Sequence, residues 1–324
     1  MTAEVIPLAS GVYLKAHLAP FAAWLERDDV TEILVNAPHE VWIEAAGVPG
    51  MTRIDAPGID DRLLERLAQQ IARETHQGIN RERPLLAATL PDGARVQIIA
   101  PPATRKHWAL AIRRHRLIDV PLSSFDLGTL TTSTQPDWRS LDPVADPIAF
   151  LKQAAAARAT ILISGGTSSG KTTFLNALLR EAPSHERIIL AEDTPEIKLR
   201  HDNAIGLVAV KGENGEAKLT TNDLLQAALR MRPDRIVLGE LRGADAVSFL
   251  RAINTGHPGS FSTIHANSPA GALEQLALMV MQSGIGLSRS ETIAYAKGVI
   301  DVIVQLDRVN GKRGISAIEV TKLG

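Results

Sequence analysis

The chain has 324 residues, 45% hydrophobic and 22% charged, an ordinary globular composition with material for a large core and length for two domains. Its 35 Lys and Arg against 36 Asp and Glu leave a formal net charge of −1, which argues against a generally basic nucleic-acid-binding surface. There is no cysteine, so disulfides, zinc ribbons and cysteine nucleophiles are excluded, and a reducing compartment fits. The start, Met1-Thr2-Ala3-Glu4-Val5-Ile6, lacks the basic region and apolar core of a signal peptide. No run approaches the ~18 continuous apolar residues of a membrane span.

Residues 17–28 read as a short helix. Val30–Val35 follows as a strand ended by Asn36-Ala37-Pro38, with Val41–Glu44 as its hairpin neighbour. Ile59, Leu63, Leu64, Leu67 and Ile71 recur at three- and four-residue steps and predict a helix from about 59 to 75, with Gly78 as a stop. Pro91-Asp92-Gly93 is a turn before an alternating strand over 95–99, ended by Pro101-Pro102, and 108–113 is a further strand. Together these predict a small α+β module. The basic cluster Lys106, His107, Arg113, Arg114, His115 and Arg116 is either a phosphate, lipid or nucleic-acid contact or a solvated edge. Residues 126–147, with Gly128, Pro136, Pro143 and Pro147 among Thr, Ser and Asp, read as a linker or as a long surface loop. The boundaries are thus 1–127 for the amino-terminal domain, 128–147 for the linker and 148–324 for the second domain.

From residue 148 the pattern becomes α/β, with a helix over 148–157 and strands at 160–164, 187–191, 235–239 and 260–264. Short apolar strands separated by helices indicate a mainly parallel sheet covered on both faces. Between the first strand and its helix lies Gly165-Gly166-Thr167-Ser168-Ser169-Gly170-Lys171-Thr172, which fits the phosphate-cradling pattern G-x-x-x-x-G-K-[ST]. Gly165 and Gly170 let the chain turn where a Cβ would obstruct it. Loop N–H groups and the first helical turn then face an anion, Lys171 brings charge to the β- and γ-phosphates, and the Thr172 hydroxyl suits Mg²⁺.

The second strand runs into Glu192-Asp193-Thr194-Pro195-Glu196, carboxylates able to orient water or hydrated Mg²⁺, or else an acidic turn and cap. The third ends in Gly239-Glu240-Leu241-Arg242, where Glu240 can align a water at the γ-phosphate or form a strand-end salt bridge with Arg242. Thr220-Thr221-Asn222-Asp223 can cap the helix before it. Arg230, Arg232 and Arg235 surround that helix's end, to favour its dipole or touch a neighbouring subunit. His257, in a glycine-flanked turn, is the better phosphate sensor; His265 is the second choice or orients another group, and either can be structural. Their spacing, without cysteine or H-E-x-x-H, makes no zinc site.

GGTSSGKTT at 165–173, EDTPEI at 192–197, LRMRPDRIVLGELRG at 229–243 and TGHPGSFSTIHANSP at 255–269 together resemble the VirB11-like secretion ATPases, within the wider group of type II secretion and type IV pilus ATPases. They look like the Walker A, Asp-box, Walker B and His-box regions, and the resemblance continues weakly through RPLLAATLPDGARVQIIAPP at 83–102. The absence of a four-cysteine metal module and the compact amino-terminal part favour the VirB11-like branch. Ser168-Ser169, where many relatives have Gly-Ser, still satisfies the motif.

The fold class implied is α/β, a RecA-like P-loop NTPase carboxy-terminal domain with a smaller α+β amino-terminal domain. The resemblance implies an ATP- and Mg²⁺-dependent motor: a cytoplasmic homohexamer, peripherally associated with the inner membrane and its type IV secretion components. Nucleotide would lie between the domains, and turnover would power machine assembly or transfer of protein or DNA, including conjugation. Gly165 to Thr173 would hold the nucleotide; Thr172, Glu192 and Glu240 would hold Mg²⁺ directly or through water; Glu240, Glu192, Glu196 and His257 would be catalytic. Arg95, Arg105, Arg113 and Arg114 compete as amino-terminal phosphate contacts. The rivals are a pilus assembly or retraction ATPase, separable by neighbouring genes, and a nucleotide-gated scaffold with little hydrolysis, separable by phosphate release. A DNA helicase is less attractive on charge.

Overall fold

The computed structural model describes residues 12–114, 137–211 and 217–321. Contacts divide these into two units: the described residues of 1–115 with 205–232, and those of 116–204 with 233–324.

In the first unit the helical pattern expected over 17–28 is split. Helix α1 (Val12–Leu18) stops, a tight turn follows at 19–21, and α2 (Ala22–Leu25) is a single short turn. Pro20 has no N–H to continue the ladder. Strands β1 (Val30–Val35), β2 (Glu40–Ala45) and β3 (Met51–Asp55) form an antiparallel meander. Helix α3 (Asp61–Glu74) starts where the Asp60 carboxylate accepts from Leu63 N–H at 2.7 Å. Its stripe Leu64, Leu67, Ala68 and Ile71 is buried with Ile33, Val96, Ile98 and Leu110 in one core. Strands β4 (Leu85–Thr89), β5 (Arg95–Ile99) and β6 (Ala109–Arg113) complete a six-stranded antiparallel sheet in the order β3-β2-β1-β6-β5-β4.

The second unit begins at a described end of the expected linker. Trp138 is buried and meets Phe150 edge to face, with centroids 5.4 Å apart. Phe150 lies on α4 (Pro147–Ala156), which opens on Pro147 with Asp146 as its cap, accepting from Ala149 N–H at 2.9 Å. Then come β7 (Ile161–Gly165), α5 (Lys171–Leu179) and β8 (Ile188–Glu192).

The chain next carries β9 (Ala204–Val208), β10 (Val210–Lys211), β11 (Lys218–Leu219) and α6 (Thr221–Ala228), the last opened by a reciprocal cap between Thr220 and Asp223. Segment 205–232 packs with the first unit. Val208 N–H donates to the Ala103 carbonyl at 2.9 Å, Arg105 N–H to Gly206 at 3.1 Å and Ala217 N–H to Arg81 at 3.2 Å.

The second unit resumes with β12 (Arg235–Leu238), α7 (Asp245–Asn254), β13 (Phe261–Ile264), α8 (Pro269–Gln282), α9 (Arg289–Val299), β14 (Val302–Val309) and β15 (Lys312–Val320). Its strands run β15-β14-β7-β13-β12-β8, parallel except for β15, which returns antiparallel on β14. The carboxyl ends of β7, β13, β12 and β8 therefore share one edge, where open α/β sheets collect ligands.

Two arginines expected to surround the end of α6 are committed elsewhere. Arg235 is fully buried, donating to Glu186 Oε2 at 2.8 Å, the Gly259 carbonyl at 2.6 Å and the Ala155 carbonyl at 3.0 Å. It ties the starts of β12 and β13 to the end of α4, with its guanidinium enclosed inside the unit. Arg232 forks onto Glu44 of β2, through Nε to Oε2 at 3.1 Å and Nη2 to Oε1.

Glu44 belongs to a charged row across the first sheet. Register places Arg95 opposite Arg113, Arg113 opposite Glu32 and Glu32 opposite Glu44. Glu32 is buried, receives the Arg113 Nε–H on one oxygen and has no partner on the other. Burial pushes its carboxyl upward, and the bond from Arg113 only partly opposes this. A raised carboxyl favours the folded state more as pH falls, until the unfolded chain also protonates near ~4.3. The urea midpoint of wild type relative to Glu32→Gln is therefore expected to shift in favour of wild type as pH is lowered from neutral toward that value; a pH-independent difference would contradict it.

Candidate active site

The P-loop is shaped by two glycines with different duties. A Cβ at Gly165 would lie 2.3 Å from Ser169 Oγ and 2.8 Å from the Leu306 carbonyl oxygen, so the loop closes only on bare backbone. Gly170 caps α5 at φ +98°, the left-handed region that favours glycine. Thr167 and Ser168 are exposed, Gly166 is half-buried, and Ser169 is buried with no partner for its hydroxyl. Thr172 and Thr173 open α5; Thr172 is half-buried and its carbonyl accepts from Asn176 Nδ2 at 3.0 Å.

Lys171 is buried, and its ammonium donates back to the carbonyls of Gly165 at 2.9 Å and Gly166 at 3.2 Å. Its third contact is His265 Nδ1 at 3.1 Å, which must then be the unprotonated, accepting nitrogen. Burial pulls the Lys171 pKa down, with the charge of Glu240 opposing.

Across the imidazole, His265 Nε2 lies 2.7 Å from Glu240 Oε1. The contact is within ion-pair range but the N–H is not aligned with the oxygen, which has no hydrogen-bond partner. The other oxygen of Glu240 accepts from Arg242 Nε at 2.7 Å, and Arg242 Nη1 reaches Asp193 at 2.7 Å. Those bonds, that to Glu240 first, hold the Arg242 guanidinium above its ordinary pKa. The strand-end salt bridge to Arg242 thus coexists with a Glu240 oxygen turned toward His265. Asp245 accepts the N–H groups of Arg242 and Gly243 and fixes the turn; burial pushes its carboxyl up.

The acidic turn divides its carboxylates. Glu192 is buried, and its Oε2 accepts from Glu196 N–H at 3.0 Å and Ile197 N–H at 3.2 Å, so it holds the turn. Glu196 is exposed.

The two histidines are placed by strand direction. His257 precedes β13; its Nδ1 bonds the Pro233 carbonyl at 3.1 Å, and its own carbonyl accepts from Ser260 Oγ. His265 is the first residue beyond β13, at the ligand-collecting edge, about 13 Å of strand away. The glycine-flanked turn that favours His257 from sequence lies at the opposite edge, so strand polarity sets His265, and not His257, beside Lys171 and Glu240. Beside His265, Gly166, Thr167, Asn267 and Ser268 border a hollow of about 470 Å³.

The four amino-terminal arginines also separate. Arg114 Nη1 donates to the carbonyls of Trp24 at 3.3 Å, Arg27 and Val30 at 3.1 Å, tying down backbone. Arg105 packs its side chain on Gly206, where a Cβ would come within 2.6 Å of it. Arg95 and Arg113, neighbours across β5 and β6, line a cavity of about 700 Å³ with Arg230, Gln77 and Gln97. His107 pairs with Asp61 at 2.8 Å; His115 and Arg116 lie outside the described residues.

The residues fit a nucleotide. The loop admits no Cβ at Gly165, an ammonium is buried against it, and an unpartnered buried hydroxyl, Ser169, lines it. Among the described residues no group of three or more His, Asp or Glu converges on a metal site.

The family model for type II/IV secretion system protein matches residues 15–309. The type IV secretion system protein VirB11 of Bartonella quintana is 36% identical across 93% of this chain and 91% of that protein. The type IV secretion system protein PtlH of Bordetella pertussis is 40% identical across 91% of each. The chain belongs to the VirB11-like secretion ATPases. A crystal structure of the VirB11 ATPase from the Brucella suis type IV secretion system, in complex with sulphate, superposes with a TM-score of 0.87 at 33% identity, covering 96% of this chain and 95% of that one. The fold of this VirB11-like chain is accordingly a RecA-like P-loop NTPase domain with a smaller α+β amino-terminal domain.

Gly165→Ala forces a methyl onto backbone that cannot move aside. We expect it to cost about 1–3 kcal/mol of stability by urea unfolding, whereas Gly166→Ala, whose Cβ would approach no atom closer than 3.9 Å, should cost less.

Proposed function

We propose that this chain is the ATP-hydrolysing motor of a type IV secretion machine, turning over MgATP at the P-loop. The observation that carries the reading is the chain of contacts Lys171–His265–Glu240, which joins the phosphate lysine to a carboxylate through one imidazole. Lys171 supplies positive charge to the β- and γ-phosphates, and phosphate charge offsets the desolvation that depresses its pKa. Glu240 Oε1, which lies against His265 without an aligned hydrogen-bond donor, orients the attacking water. Mg²⁺ would be held by the Thr172 hydroxyl, with Glu240 and Glu192 acting directly or through water, and would neutralise phosphate charge. Glu192 keeps the acidic turn in place, and Arg242 restrains Glu240 while bonded to Asp193. His265 is the phosphate sensor, because it touches both Lys171 and Glu240.

Of the amino-terminal arginines, Arg95 and Arg113 are assigned to phosphate. Like charges held opposite each other in a sheet destabilise it, and an anion relieves that repulsion. The assembly is read as a homohexamer attached to inner-membrane components of the machine, in contact, direct or indirect, with transferred protein or DNA. Among the described residues no helix is long and apolar enough to cross a membrane, so attachment by this part of the chain would be peripheral.

Phosphate release from MgATP tests the enzyme against a nucleotide-gated scaffold. Lys171→Ala should abolish release while keeping its thermal unfolding midpoint; an unaltered rate in that variant removes the P-loop assignment. His265→Ala should lower kcat at least about tenfold, the equivalent of one hydrogen bond to a charged group. His257→Ala should lower it less, and the reverse ranking would return the sensor role to His257.

A further inference from the structure

The hairpin of β14 and β15 flanks the P-loop on the side away from Glu240. Strand β7 lies between β13 and β14, and Leu306 of β14 is paired with Gly165 at the loop's first residue. Beyond that pairing β14 continues through Arg308, turns at Asn310-Gly311, both at positive φ, and returns through Lys312 and Arg313. All three basic side chains are exposed, and none has an acidic partner among the described residues. Arg313 leans over the P-loop: a Cβ built on Gly170 would lie 3.1 Å from its Cδ and 3.9 Å from its Nε.

The loop has a chemical polarity. Lys171, His265 and Glu240 mark the γ-phosphate end on the β13 and β12 side. Loop and helix N–H groups take the α- and β-phosphates, so the nucleotide's other end emerges on the β14 flank, where these cations stand. We propose that Arg313 ion-pairs with the α-phosphate of the bound nucleotide, making the hairpin part of the binding site. An α-phosphate is common to ATP and ADP, so this contact sets nucleotide affinity without discriminating the hydrolysed state. Arg308, opposite Arg313 in register, adds charge on the same face, whereas Lys312 points to the other.

The proposal rests on nucleotide binding at the P-loop, and calorimetric titration of the full chain with ADP and with ATP in Mg²⁺ separates the two. Arg313→Ala should weaken both nucleotides by the same factor, about tenfold for one charge-assisted contact. It should raise KM for ATP and leave kcat unchanged, the signature of uniform binding. Arg313→Lys, which keeps the charge but loses the planar fork, should recover most of the affinity. Lys312→Ala, which removes equal charge from the other face, should change nothing. Unaltered ADP affinity in Arg313→Ala overturns the assignment while the P-loop reading stands. Equal weakening in Lys312→Ala overturns it in favour of a diffuse field, and failure of Arg313→Lys to rescue overturns it in favour of stacking on the base. If wild type binds neither nucleotide, the proposed function itself falls.

Discussion

The second unit is organised around a buried ammonium that has no carboxylate of the described residues directly on it. Lys171 leans on two carbonyls of its own loop and on an imidazole, and the nearest negative charge in the chain of contacts is one residue further, at Glu240. The sequence of groups is then ammonium, imidazole, carboxylate, guanidinium, carboxylate: Lys171, His265, Glu240, Arg242, Asp193. Lys171 follows β7, His265 follows β13, Glu240 and Arg242 both follow β12, and Asp193 follows β8, so their order matches the sheet order β7, β13, β12, β8. Parallel pairing is therefore what makes the site. It brings four carboxyl strand ends to one edge at about 4.8 Å spacing, close enough for each side chain to reach the next.

That dependence explains what was legible in the residues. The P-loop spacing, its strand and its helix declare themselves locally, and the apolar stripe of α3 predicts its own burial. Glu240 and Glu192 could be placed because each directly follows or closes an apolar strand. The histidine required more: both His257 and His265 border the same strand, and only the direction of β13 relative to the site separates them. Arg242 looked like an alternative to a functional Glu240, because a sequence offers no way to see that a carboxylate with two oxygens can serve both.

What the residues did not disclose is long-range. No local feature of 205–232 marks its packing with the first unit, since its bonds go to Ala103, Arg105 and Arg81, about a hundred residues or more earlier. Arg232 and Arg235 flank Pro233-Asp234, yet one forks onto Glu44 and the other is fully enclosed by Glu186, Ala155 and Gly259. Enclosure of a guanidinium is tolerable only because its donors find carbonyls and a carboxylate. The Asn310-Gly311 pair does announce the β14–β15 hairpin, but its position beside the P-loop follows from the pairing of Leu306 with Gly165.

Each of the two units holds cations that its own carboxylates only partly compensate. In the first unit the row Arg95, Arg113, Glu32, Glu44 sets like beside like at both ends. The acidic end is neutralised by Arg232, and Glu32 takes up the charge of Arg113. Arg95 has no such counterpart among the described residues, and it faces the cavity it shares with Arg113 and Arg230. In the second unit the depressed Lys171 is likewise a cation whose surroundings under-compensate it. Each unit thus stores positive potential at a concave surface, at a cost in self-repulsion or desolvation that an anion would return as binding energy. A chain of net charge −1 does not accumulate such sites by composition; they arise because strand register and loop closure set particular cations where water and carboxylates are scarce.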